Sequence, residues 1–181
     1  MKFTKLHLLA LLTAISAHAP TKAAGFAFDQ STGRIEFVGS YDGEAVKGVF
    51  KSFRGSLDVD PKTLQPNLTV TIQVESLDTE YEDRDAVLKS EEWFDVAKFP
   101  NATFKSTNCS IGASALCEGV LTIRDQSKPA QIKLSLAPDG KSFSGSASVD
   151  RGDFKVGSGE WEEAGIIGRT VTIKFSLRAK G

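Results

Sequence analysis

LTVTIQVES, residues 68–76, puts Leu68, Val70, Ile72 and Val74 on one side of an extended chain and Thr69, Thr71, Gln73 and Glu75 on the other. A period of two marks a strand with one buried and one wet face. TVTIKFSLRAK, residues 170–180, repeats the pattern, with Val171, Ile173, Phe175 and Leu177 against Thr172, Lys174, Ser176 and Arg178. AQIKLSLA (130–137) sets Ile132, Leu134 and Leu136 against Lys133 and Ser135. GRIEFVGS (33–40) offers Ile35 and Phe37, GVLTIR (119–124) Leu121 and Ile123, and SFSGSASVD (142–150) Phe143, Gly145, Ala147 and Val149. AFD (27–29), FRGSLDVD (53–60) and ATFKSTN (102–108) read as further strands.

Turn signals punctuate these runs at Ser31-Thr32-Gly33, Asp60-Pro61, Pro138-Asp139-Gly140 and Gly165 to Gly168. The connections are mostly short, so neighbouring strands pair antiparallel. One all-β domain of about eight strands is predicted, with a short helix at 82–90. Closed barrel and stacked sandwich both fit the alternation. Small inward residues such as Gly145 and Ala147 leave room that core packing alone would not want, as in a small barrel that holds one ligand; a filled sandwich core is the other reading, and the pattern does not separate the two.

The first 23 residues read as a secretory signal peptide. Lys2 and Lys5 precede an apolar run from Leu6 to Ile15 that is too short to span a bilayer. Thr21-Lys22-Ala23 is the better cleavage site, because Pro20 would follow a cut after Ala19; the mature chain then starts at Ala24. Cleavage removes both histidines, His7 and His18. It also removes three of the 22 basic residues, leaving 19 against 23 acidic ones, a net charge of −4. That charge argues against nucleic acid and gives no pull toward anionic lipid. Without histidine there is no Ser-His-Asp or Cys-His catalysis, and no spacing of Cys and carboxylates suggests a metal site. No cofactor is implied.

Cys109 and Cys117, in NCSIGASALCEG, flank Ala113 at the midpoint of a hairpin tip. In an exported chain this predicts a structural disulfide, worth about 2–3 kcal/mol for so short a loop.

RDAVLKSEEWFDVAKFPNATFKS, residues 84–106, breaks the alternation. Asp83, Arg84 and Asp85 are expected to form ion pairs and cap the short helix, and Arg151 and Asp153 to form ion pairs likewise. Trp93, Phe94, Phe99 and Phe104 would be costly to leave in water. The stretch from Glu82 to Phe99 therefore reads as a segment crossing one barrel end with its rings inward. A core plug and a lid over a lipid use the same residues.

FDQSTGRIEF, GVFKSFRGSLDVD, RDAVLKSEEWFDVAKFPNATFKS, GVLTIRDQSKPAQIKL and VDRGDFKVG, in this order, resemble the YceI-like family across Phe26 to Arg178. The most specific blocks are Arg84-Asp85-x-x-Leu88-x-Ser90, Trp93-Phe94-Asp95, Phe99-Pro100 and Phe104-x-Ser106. The resemblance implies an eight-stranded antiparallel lipocalin-like barrel over residues 24–181. It further implies a bacterial periplasmic binding protein, not an enzyme, for a polyisoprenoid or an isoprenoid quinone. Histidines common in the family are replaced here by Ser31-Thr32-Gly33 and Val87, so histidine chemistry does not carry over. The implied tail contacts are Ile72, Val74, Ile132, Leu134, Ala147, Ile173 and Phe175, with Trp93, Phe94, Phe99 and Phe104 around one end. No stable membrane insertion is expected. A small outer-membrane barrel and an exported carboxylate-dependent enzyme are the alternatives.

Overall fold

The computed structural model describes residues 25–60, 63, 65–110, 115–162 and 165–180. The signal peptide and the hairpin tip at Gly112, Ala113 and Ser114 lie outside them. The strand segments are β1 (Gly25–Ala27), β2 (Arg34–Tyr41), β3 (Glu44–Phe50), β4 (Phe53–Val59), β5 (Pro66–Gln73), β6 (Leu77–Asp78), β7 (Asn101–Ser110), β8 (Ala115–Ile123), β9 (Gln126–Leu136), β10 (Ser142–Asp150) and β11 (Thr170–Arg178). The helix α1 covers Glu82–Lys89, and 3₁₀ turns occupy Val74–Ser76, Arg151–Phe154 and Gly159–Trp161.

These segments make eight long strands. β3 runs into β4 across Lys51 and Ser52, while β5 runs into β6 across the first 3₁₀ turn. β4 pairs with β5 and β3 with β6. Across the joint the Gln73 N–H donates to the Ser52 carbonyl and the Lys51 N–H to the Ser76 carbonyl. Each pair of segments is thus one bent strand of a long hairpin. The remaining strands follow in chain order, each antiparallel to the last, and β11 pairs back onto β2. The result is a closed up-and-down barrel, which leaves no long open edge. β1 is an extra short strand on β4, and Phe28 beyond it bridges to Ala179.

The strand β3 is absent from the sequence reading. It follows a tight turn at Asp42 and Gly43, both at positive φ (49° and 79°), the pairing that a two-residue hairpin of this hand selects. The strand is hard to see because Gly48 takes an inward slot. A Cβ there would sit 2.3 Å from Cζ of Phe37, its cross-strand partner, whose ring fills the space. Gly145 behaves alike: its space is filled by the ring of Phe175 opposite, 2.5 Å from where a Cβ would be. The room expected at Gly145 is therefore occupied.

Alternation otherwise holds, with one correction. Ile132 and Leu134 are buried, but Leu136 is 46% exposed where β9 gives way to the turn at Pro138-Asp139-Gly140. Cys109 and Cys117 are cross-strand partners of β7 and β8 and form the expected disulfide. The core is a single cluster, in which Phe28, Ile35, Leu57, Leu68 and Leu177 are deeply buried around a small pocket at one end of the barrel.

Candidate functional site

Two connections cross the other end. The first, residues 79–100, carries α1. Its acidic first turn (Glu82, Asp83, Asp85) and Lys89 in the last turn suit the helix dipole. No side chain caps it, and the expected ion pairs are not its links. The Asp85 carboxylate accepts from the N–H and hydroxyl of Thr79. Arg84 donates to the Thr79 hydroxyl at 2.8 Å and to its carbonyl at 2.7 Å, with its guanidinium 4.5 Å from the Tyr81 ring centre. Both side chains therefore grip buried Thr79, the anchor by which the helix meets the barrel. After α1 the chain turns back through Asp95 at positive φ, which sends Trp93 and Phe94 inward.

The second connection, residues 151–169, is tied together by Arg151. This arginine is 5% exposed. Its Nε donates to the carbonyl of Gly168, Nη1 to those of Val156 and Gly157, and Nη2 to those of Trp161 and Ile167, at 2.7–3.4 Å. The expected ion pair is replaced by this set of carbonyls, which uses every N–H of the guanidinium. Burial lowers its pKa, and the Arg169 charge lowers it further. Gly157 sits at φ +76°, and a Cβ there would lie 2.4 Å from Nη1. Asp150 stabilises the entry to this strap. Its carboxylate accepts from Arg169 at 3.0 Å and from the Gly152 N–H at 2.8 Å, which hold its pKa below the usual range.

The two straps are stitched to each other. The Trp161 indole donates to the Glu92 carboxylate at 2.6 Å, and the Gly157 and Ser158 N–H groups donate to the Glu92 carbonyl. Arg124 donates to the carbonyls of Trp93 and Lys155. The Trp93 and Trp161 rings lie 5.9 Å apart, and Phe94 meets Phe50 edge-on at 6.3 Å.

Between the straps and the strands lies an open chamber of about 520 Å³ with an almost wholly apolar surface. Its walls include Phe37, Phe50, Leu121, Ile123, Val149 and Val171 from strands, and Leu88, Trp93, Phe94, Phe154, Trp161 and Ile167 from the straps. Polar groups gather where Tyr41 and Val87 are exposed, with Asp83 and Arg84 beside them. Beneath is a second, much smaller pocket of about 70 Å³. Ile72, Leu121 and Ile173 line both spaces and form the partition.

The residues expected around a ligand divide between these spaces. Ile72 and Ile173 face both, Trp93 and Phe94 the chamber, and Phe104, Ile132, Leu134, Ala147 and Phe175 the small pocket. Val74 and Phe99 line neither. Val74 falls in the 3₁₀ turn that ends β5 and packs into the core at 2% exposure. The Phe99 ring is drawn to cations instead, with Arg124 at 5.6 Å and Lys98 at 5.8 Å. The sequence reading missed the second strap, with Phe154, Trp161 and Ile167. Its signal was the one long run without period-two alternation after residue 150. Among the described residues no three His, Cys, Asp or Glu side chains gather as a metal site.

A closed eight-stranded meander with two straps over an apolar chamber is an up-and-down β-barrel, a class whose members are filled by side chains or have room for one small ligand. Within that class the chain belongs to the family of the YceI-like domain, whose sequence model spans residues 26–179. A UPF0312 protein of Pseudomonas paraeruginosa is 34% identical over 161 residues, covering 82% of this chain and 84% of the relative. An Enterobacter UPF0312 protein is 40% identical over 95 residues, 51% of this chain and only half the relative's length. Among solved structures, Burkholderia cenocepacia BcnA superposes with a TM-score of 0.78 at 28% identity, over 84% of this chain and 99% of BcnA. A polyisoprenoid-binding domain from Saccharophagus degradans, implicated in plant cell wall breakdown, shares the fold with a TM-score of 0.67 at 14% identity, over 88% of this chain and 99% of that domain.

Proposed function

We propose that this protein is a periplasmic carrier that holds the isoprenoid tail of a quinone or polyprenyl lipid inside its barrel. The observation that carries the reading is the apolar chamber of about 520 Å³. A volume in this range is typical of ligand sites, and an almost wholly apolar surface suits a hydrocarbon. Each buried CH₂ contributes about 0.8 kcal/mol gross, so an isoprene unit brings roughly 3–4 kcal/mol before binding costs. The polyisoprenoid-binding domain of the same fold supports the ligand class. The affinity comes from the buried tail and needs no polar group, so headgroup discrimination is weak.

Two observations favour this reading over the alternatives. The barrel is apolar inside and polar outside: Lys133, Ser135, Lys174 and Ser176 face outward and are exposed. An outer-membrane barrel needs an outward apolar band. Asp83 supplies the only carboxylate to the described chamber lining, whereas acid–base cleavage by carboxylates uses two.

The test is native mass spectrometry and organic extraction of the protein purified from its own periplasm. A bound isoprenoid lipid and a mature mass starting near Ala24 are expected. Protein that carries no lipid from any preparation refutes the carrier role; a mature chain that retains Met1 refutes the location.

A further inference from the structure

The partition between the two spaces has the form of a length stop. We infer that Ile72, Leu121 and Ile173 form a floor that limits the enclosed tail to about four isoprene units, so that the preferred ligand is a short isoprenoid chain of about twenty carbons. This inference rests on the lipid-binding reading above and adds a size to it.

The volumes decide the number. A cavity of about 150 Å³ takes up benzene, which sets a scale of roughly 25 Å³ per enclosed carbon. On that scale the chamber of about 520 Å³ holds about twenty carbons. The pocket under the floor, about 70 Å³, holds about three, less than one isoprene unit. The space below is thus no continuation of a tunnel.

The floor is held from both sides. Ile72 and Ile173 lie on well-paired strands, opposite Phe53 and Ala102 in one case and Ala147 and Phe37 in the other. Below them Phe104, Phe143 and Phe175 fill the barrel. A tail entering at the Tyr41 mouth therefore ends against branched side chains backed by rings. Carbons beyond about the twentieth remain at the mouth and gain little from burial.

Prenyl alcohols of increasing length, titrated into delipidated protein, test this. Trp93 and Trp161, the only two tryptophans in the chain, both line the chamber and report occupancy by fluorescence. Affinity should rise at least about tenfold per isoprene unit up to about twenty carbons, then change by less than about threefold up to forty. Ile173→Ala joins the small pocket to the chamber and should move the plateau about one unit longer. Val149→Phe places a ring in the chamber and should move it about one unit shorter; it serves also if Ile173→Ala does not fold. Wild-type affinity that keeps climbing to forty carbons overturns the length stop while leaving lipid binding intact. A plateau that neither variant moves overturns the assignment of the floor. Failure of every chain length to bind overturns both this inference and the carrier reading.

Discussion

Arg151 organises the second strap, and replacing it should show how much of the roof depends on one side chain. Its five N–H groups end on five backbone carbonyls of residues 156–168. Lysine has three donors and no fork geometry, so Arg151→Lys leaves at least two of those carbonyls without a partner. An unsatisfied buried group costs about 1–3 kcal/mol, which places the substitution near 2–6 kcal/mol if the strap stays closed. Arg151→Ala strips all five, and the strap escapes the full penalty only by opening to water. The expected loss is then about 3–5 kcal/mol, capped by the free energy of releasing the strap from the barrel. Urea unfolding followed by circular dichroism measures the loss. Hydrogen exchange should localise it, with protection falling over residues 151–169 while β4 and β5 keep theirs. An Arg151→Ala protein within about 1 kcal/mol of wild type would refute the reasoning, since it would mean that the carbonyls find water at no cost.

Replacing Cys109 and Cys117 together by serine should cost about 2–3 kcal/mol in reversible unfolding and leave lipid content unchanged, because neither residue lines the chamber. Ala147→Phe should stay lipid-loaded yet lose about 1–3 kcal/mol, because its ring enters a pocket of about 70 Å³ and overpacks it; loss of lipid in the extract would contradict this placement. Asp139 accepts from the N–H groups of Lys141 and Ser142 and from the Ser142 hydroxyl, and its pKa is lowered from 3.8 to about 2. A depressed carboxyl stabilises the folded state above its unfolded pKa, and that contribution disappears as pH falls through the folded one. The gap in urea midpoint between wild type and Asp139→Ala should therefore be constant at pH 5 and above, shrink below pH 4, and be nearly gone by about pH 2.

Burial face was legible because it is a local property. Ile132 and Leu134 are buried between exposed Gln131, Lys133 and Ser135, and no other strand is needed to see it. Where two strands share one ring, locality fails. Phe37 covers Gly48, so β3 presents a glycine at the position where its own alternation calls for a bulky residue. Its flanking Asp42-Gly43 turn was the better evidence for it. The helix at Glu82–Lys89 was likewise legible, but the partners of Arg84 and Asp85 were not. They meet Thr79, a buried residue in the approach to the helix.

Height along the barrel axis is the property that no single strand carries. Ile72 and Ile132 both point inward, yet Ile72 reaches the chamber and Ile132 only the small pocket below it. Alternation assigns a side chain to the interior, whereas register around the whole ring assigns it to a level. Strands in a closed barrel are tilted and staggered, so residues of different strand positions come together at one level. Ile72, Leu121 and Ile173 meet in this way, from β5, β8 and β11, although no two of these strands are neighbours. The same reasoning explains why the connections decide the site. A meander of alternating strands fills itself with rings at one end, where Phe28, Phe143 and Phe175 come together. At the other end two long straps roof the chamber, with Leu88, Trp93, Phe94, Phe154, Trp161 and Ile167 in its walls. Shortening either strap, or cutting the Arg151 bonds that shape one of them, should collapse the chamber before it harms the barrel.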